Sequence, residues 1–210
     1  DFFPVDELKL GGRVFHTPVR RDGLGAPLVA VRREPLADFR ALHLGSEHVY
    51  YGVTALARFE GTRCVLSIED PLARETIRLG KRDFPLAGDF TTAVAMLIER
   101  DRPEKLGLVR LLRPYKYTQT TMLYRLQPFD PKRIPVVFVH GLDSTPATWL
   151  PMFTSLLADE EIRRRYQFWF FSYPSGYPFP YSASLLRQEL DGIAKAFPQR
   201  QPIVLAGHSM

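Results

Sequence analysis

The sequence predicts an α/β fold: a doubly wound parallel sheet over residues 134–210, preceded by a smaller β-rich region over residues 1–133. Three observations carry that expectation. After Pro131, short continuous apolar runs alternate with stretches of helical period. Before it, apolar residues alternate singly with polar ones. The change falls at Asp130–Arg133. A continuous apolar run suits a parallel strand covered on both faces, whereas single alternation marks a strand with one buried face.

In the N-terminal region, residues 1–47 are rich in Gly, Pro and Arg and show no clear period, which reads as irregular chain with some strand. From Val49 to Phe59 the odd positions (Val49, Tyr51, Val53, Ala55, Ala57, Phe59) are all apolar, so they are expected to form the buried face of a strand. Glu60-Gly61-Thr62 supplies a turn, and Cys64, Leu66 and Ile68 continue the alternation on a second strand. Ile77 and Leu79 suggest a third, completing a small antiparallel meander. Asp89 is placed to cap a short helix carrying Phe90, Val94, Leu97 and Ile98 on one side and ending near Arg102-Pro103.

In the C-terminal region, Ile134–Val139 is the first buried strand. A helix follows with Trp149, Phe153, Leu156 and Leu157 at helical spacing. Gln167–Tyr173 is a second strand, and Ser182–Phe197 a second helix with Leu185, Leu186, Leu190, Ile193 and Phe197 on one side. Pro202–Ala206 is a third buried strand. The order β-α-β-α-β calls for parallel neighbours joined by right-handed crossovers.

Composition bounds the function. The net charge of +5 comes mostly from scattered Arg, without the basic face and interleaved aromatics of a nucleic-acid binder, so no nucleic-acid partner is expected. The compact run Arg163-Arg164-Arg165 follows Asp159-Glu160-Glu161 and reads as a solvated helix terminus. No apolar run reaches the length of a membrane span, and Asp1-Phe2-Phe3-Pro4 has neither the basic nor the apolar part of a signal peptide. The one cysteine, Cys64, allows no internal disulfide and reads as a buried structural thiol. His43 and His48 lie five apart, which suits neither a helix face nor a strand face, and His16 has no evident partner. No metal site is expected.

The chemistry is expected at two loops. The third strand runs into Gly207-His208-Ser209-Met210, the first four places of G-x-S-x-G. That motif needs a very sharp strand-to-helix turn to lift the serine hydroxyl above the sheet, hence small flanking residues. Alone it is a common tripeptide; here it follows a buried strand after two βα units. The second loop, His140-Gly141-Leu142-Asp143-Ser144, follows the first strand. Acyl transfer needs two backbone N–H groups aimed at the developing oxyanion. The residues placed to supply them are Leu142 and Met210, with Ser209 as nucleophile. A serine after a strand also commonly caps a helix. His208 neighbours Ser209 in a tight turn, where adjacent side chains point apart, so it is expected to pack beside the turn rather than act as base. His140 is expected to hold its loop, and Asp143 and Ser144 to form the turn. In Tyr173–Tyr181, Tyr177 and Phe179 either line an acyl-binding pocket or belong to a rigid Pro-rich connection.

With these residues in place, residues 134–210 resemble the bacterial esterase/lipase branch of the α/β-hydrolase superfamily. Val137-Phe138-Val139-His140-Gly141, Trp149, Phe168-Trp169-Phe170 and Ala206-Gly207-His208-Ser209-Met210 carry the likeness. Residues 48–133 are similar to the accessory region that precedes the hydrolase domain in some envelope-associated bacterial esterases. The resemblance implies hydrolysis of a small-molecule or lipid carboxylic ester through an acyl-enzyme, without a cofactor, in the cell envelope or outside the cell. It also implies that the triad acid and histidine follow the nucleophile. The chain therefore reads as an N-terminal fragment ending at the elbow, expected to show no esterase turnover by itself. A thioesterase, an acyltransferase or a non-catalytic scaffold could carry the same residues.

Overall fold

The computed structural model describes residues 1–8, 18–33, 48–101, 112–116, 121–125, 130–196 and 201–209. Strands and helices are mixed, as an α/β class requires, and the strands fall into two four-stranded sheets and two short pairs.

The N-terminal sheet has the order β1-β3-β4-β5, all antiparallel, from β1 (Phe2–Pro4), β3 (Ala26–Arg33), β4 (His48–Glu60) and β5 (Arg63–Glu69). β2 (Arg20–Arg21) pairs with β8 (Gly88–Asp89), and β6 (Thr76–Leu79) pairs with β7 (Arg82–Pro85). The segment around Ile77 thus makes its own hairpin instead of extending the β4–β5 meander. Asp89 caps α1 (Thr92–Asp101) as expected: its Oδ1 accepts from Thr91 N–H at 3.0 Å and Thr92 N–H at 2.6 Å, while Oδ2 accepts from Arg20 Nε.

Two sequence expectations are corrected here. Val49 is buried, but Phe59 at the far end of the expected inner face is 75% exposed, and Cys64, Leu66 and Ile68 are exposed with it. The face turned toward α1 is the even one. Tyr50 packs there with Val29 and Val31 against Ala93 and Met96, and buried Thr54 donates from Oγ1 to Ala87 O at 2.6 Å. Alternation located the strands, but β4 carries large residues on both faces, so it did not tell inside from outside.

The second sheet has the order β12-β10-β11-β9. β10 (Ile134–Val139) lies between β11 (Tyr166–Ser172) and β12 (Val204–Gly207), parallel to both. β9 (Met122–Arg125) pairs antiparallel with β11, so the sheet takes in residues ahead of the expected change at Asp130–Arg133. Between β10 and β11 the chain forms α2 (Leu150–Ala158) and α3 (Glu160–Arg165). Between β11 and β12 it forms α4 (Phe179–Ala196), which begins three residues earlier than the period suggested; Phe197 lies outside the described residues. Gln167, buried in β11, fixes the entry to β10: its Nε2 donates to Asp130 O and Arg133 O, and its Oε1 accepts from Asp130 N–H.

Each face of this sheet has its own core. Phe138, Phe168 and Phe170 meet Leu150, Phe153 and Leu157 of α2 on one face, with Phe90, Val94 and Leu97 from the N-terminal region closing the cluster. Val137, Trp169 and Phe171 meet Ile193, Leu185, Leu186 and Leu190 of α4 on the other. β12 departs from expectation. Its apolar run was read as buried, yet Val204 and Leu205 are exposed, because β12 is an edge strand among the described residues.

The basic run also splits. Arg164 and Arg165 are exposed and pair with Glu160 and Glu161 one turn back. Arg163 is buried rather than solvated. It donates to Leu157 O and Ala158 O at the end of α2 and to Glu75 Oε1 at 3.1 Å, and its guanidinium stacks 4.8 Å from the centre of the Phe90 ring. A buried guanidinium is tolerated when its donors find partners, and helix-end carbonyls with a carboxylate supply them for both terminal nitrogens.

Phe138 is the hinge of the first core, with ring centres at 4.7 Å from Trp149, 5.7 Å from Phe168 and 5.4 Å from Phe170. Phe138→Ala should lower unfolding stability by about 3–5 kcal/mol, read from denaturant titration, because the packed rings cannot collapse into the void. A loss under about 1 kcal/mol would show that this cluster is not a close-packed core.

Candidate functional site

The loops that follow β10 and β12 meet at one end of the sheet. Parallel pairing puts Val139 beside Gly207, so both chains leave the sheet at the same level. His208 N–H donates to Val139 O at 3.1 Å and ties the turns together. Gly141 then passes against the second turn. A Cβ built on it would lie 2.7 Å from His208 O, 2.7 Å from Ser209 Cβ and 3.3 Å from Ser209 Oγ. The approach is possible only because residue 141 has no side chain.

Both loops hold strained backbone. Among the described residues, two that are not glycine have positive φ: Asp143 (φ 48°) and Ser209 (φ 68°). Such residues are uncommon and collect where surrounding structure over-determines them, often at functional sites. The Asp143 turn is held by its N–H donating to the Oγ of buried Ser175 at 3.1 Å. Ser144 Oγ and Thr148 Oγ1, 2.6 Å apart, join the end of this loop to the turn before α2.

Beneath the first loop lies a buried polar stack. His140 is fully buried, its ring stacked on Tyr173 with centres 4.4 Å apart. Its Nδ1 donates to Gly141 O at 3.1 Å, and Tyr173 Oη donates to His140 O at 2.6 Å. Burial pushes the Tyr173 phenol up to about 12. His208 stands edge-on to Trp149, ring centres 6.2 Å apart. Both histidines thus have positional contacts.

Ser209 is exposed at the rim of a cavity of about 620 Å³ walled by Val139, Leu142, Phe171, Tyr173, Phe179 and Leu186. The structure therefore brings together Ser209, Leu142 and Phe179. Tyr177 is elsewhere: it is buried between Tyr115 and Tyr181, with ring centres at 5.2 and 4.9 Å, and is not among the cavity's described walls. Met210, His16 and His43 lie outside the described residues. A second cavity, of about 230 Å³, sits between β4, α1 and α2 and is mainly apolar. Neither Ser209 nor any residue of the His140–Ser144 loop lines it. Among the described residues no group of three or more His, Cys, Asp or Glu is placed to hold a metal ion.

Sequence reasoning did not find Tyr173 and Ser175 as supports of the first loop. Tyr173 was legible as the end of an apolar strand and Ser175 as a turn former. Nothing local told that either reaches back more than thirty residues to the His140–Asp143 loop. No protein-family model, curated protein or solved structure matches this chain.

Two expectations test this geometry. Gly141→Ala should cost about 1–3 kcal/mol in denaturant titration, since backbone atoms must shift to admit the methyl group. Gly192→Ala, where a Cβ meets open space in α4, should instead stabilise by about 0.5–1 kcal/mol. Equal effects at the two positions would remove the close approach. Separately, the raised Tyr173 pKa makes stability depend on alkaline pH. Above about pH 10 the unfolded chain loses the phenol proton while the folded chain retains it, so stability falls as pH rises toward about 12. Tyr173→Phe should flatten that part of the stability–pH profile, at the cost of about 0.5–1.5 kcal/mol near neutrality for the lost hydrogen bond. An unchanged slope in the variant would assign the alkaline loss to other groups.

Proposed function

We propose that this chain carries the nucleophile and oxyanion loops of a serine hydrolase acting on carboxylic esters, built on an α/β-hydrolase sheet. The observation that carries the reading is the contact of Gly141 with a Ser209 held at positive φ, at the ends of two adjacent parallel strands. The elbow motif requires a sharp, strained turn with the serine exposed above the sheet, beside a loop that donates N–H groups. Strand order supports it too. From β10 the chain crosses to β11 on one side and then returns to β12 on the other. Sheets of this kind bind ligands outside the strand ends where the winding direction reverses.

In this reading Ser209 Oγ attacks the ester carbonyl carbon, and the N–H groups of Leu142 and Met210 hold the oxygen that becomes negative. Collapse of the tetrahedral intermediate expels the alcohol and leaves an acyl group on Ser209, which water then removes. His140 and His208 position the loops. The resemblance implies that the base taking the Ser209 proton would be a histidine placed after the nucleophile and oriented by an acid. The apolar cavity beside Ser209, with Phe179 and Leu186 in its wall, receives the acyl chain.

The test is hydrolysis of short-chain 4-nitrophenyl esters by the intact gene product. Ser209→Ala should lower kcat by at least about 10³-fold with little change in fold. Phe179→Ala should act mainly through KM for longer acyl chains. A folded intact protein with no Ser209-dependent turnover, and no labelling of Ser209 by a fluorophosphonate, would leave a non-catalytic binding role as the better account.

A further inference from the structure

One feature of the N-terminal sheet has no part in the site. β5 is an edge strand: it pairs with β4 on one side, and among the described residues nothing pairs with its other side. Its two faces differ sharply. Cys64, Leu66 and Ile68 point to one face, where the register sets them against Phe59, Ala57 and Ala55 of β4. That face is wholly apolar and open, with Phe59 75% and Leu66 74% exposed. Arg63, Val65, Ser67 and Glu69 point to the other. Unpaired strand edges template pairing with another chain, and natural edges are usually blunted by proline, bulges or clustered charge. β5 has no proline, and its two charges stand at its opposite ends.

We propose that β5 is a self-complementary edge on which a second copy of this chain pairs, antiparallel, about a two-fold axis through Leu66. The sequence of the strand is what points to a second copy. In that register Arg63 faces Glu69 of the second copy at both ends, Cys64 faces its Ile68, Val65 its Ser67, and Leu66 its own counterpart. Both charges are matched, and every apolar residue of the open face meets an apolar residue. Opposite charges directly across a strand pair stabilise it, and like or orphaned ones do not. Neighbouring two-fold registers fail this test. Centring on Val65 sets Arg63 against Ser67 and Glu69 against Gly61. Centring on Ser67 sets Val65 against Glu69 and Cys64 against Asp70. The Glu69 carboxylate accepts from Arg74 at 3.0 Å and from Ser67 Oγ at 3.1 Å. A perpendicular two-fold keeps the apolar face of both copies on the same side, so Leu66, Cys64 and Ile68 from the two chains form one continuous band. The contact is isologous and closes at two copies.

The experiment uses the intact chain. Sedimentation over a concentration series should show a monomer–dimer equilibrium that stops at the dimer, with Arg63→Glu weakening it at least about tenfold, since both charge contacts become repulsive. The register is read by cysteine pairing. Cys64→Ser with Leu66→Cys should give a disulfide-linked dimer under mild oxidation, because residues directly opposite on paired strands lie within disulfide reach. Cys64→Ser with Ser67→Cys should not, because those cysteines sit diagonally across the pair. All these side chains are exposed or at the open edge, and circular dichroism verifies that the variants keep the fold. A protein that remains monomeric up to about 1 mM overturns the proposal. So does equal cross-linking through positions 66 and 67, or growth into open-ended aggregates instead of closed dimers.

Discussion

The parallel pairing of β10 with β12 is the constraint on which the C-terminal half depends. It sets Val139 level with Gly207, and the two segments that leave these positions then turn against each other, Gly141 passing close to His208 and Ser209. Gly141 resolves the conflict by having no side chain. His208 N–H binds Val139 O, and what cannot be relieved is left as positive φ at Asp143 and Ser209. Strain of this kind, of order 1–3 kcal/mol per residue, persists only where the surroundings leave no cheaper arrangement. The surroundings here are the Tyr173–His140 stack below the first loop and the Ser175 hydroxyl at its turn. Tyr173 also forms part of the cavity wall, whereas Ser175 does not line it; both hold the strand end still.

The two regions of the chain are joined by packing more than by sequence. Phe90, Val94 and Leu97 complete the core on the β10–β11 face, so α1 belongs as much to that core as to the sheet it follows. Arg163 reinforces the junction, bridging the end of α2 to Glu75 while lying over the Phe90 ring; Arg21 lies over the same ring, 5.6 Å from its centre. Burial, with Arg163 the nearer cation, lowers the Arg21 pKa from its ordinary value, and Glu75 beside both guanidiniums opposes that. Removing the carboxylate would leave two cations crowded together, so Glu75 is what makes the arrangement tolerable.

Legibility in the sequence followed the strength of the local signal. Ile134–Val139 and the β11 run were readable because an uninterrupted apolar stretch allows few alternatives, and Gly207-His208-Ser209 followed from its strand. β9 was not, since four residues are too few to show a period, and its place is set by pairing with β11. The inner face of β4 was misread because Tyr50 and Leu56 compete with Val53 and Phe59 for the core. The burial of Arg163 was hidden for a different reason: a basic run at a helix end looks solvated unless the carbonyls and carboxylate that receive it are known. At the site, the residues that make close backbone contact were legible from glycine and serine placement. The supports, Tyr173 and Ser175, were not, because their partners lie across a crossover.

That division has a physical origin. Contacts within one turn leave a residue-type signature, since only glycine fits a close approach and only a small set of residues accepts positive φ. Contacts that hold such turns from outside can be made by many side chains at many positions, so no local pattern announces them. The fold therefore advertises its strained points and conceals what maintains them. The exposed β4–β5 face shows the reverse case. There a clear period-two pattern stands on a face where Phe59, Leu66 and Ile68 are exposed, so the pattern marks a strand without marking that strand's core side.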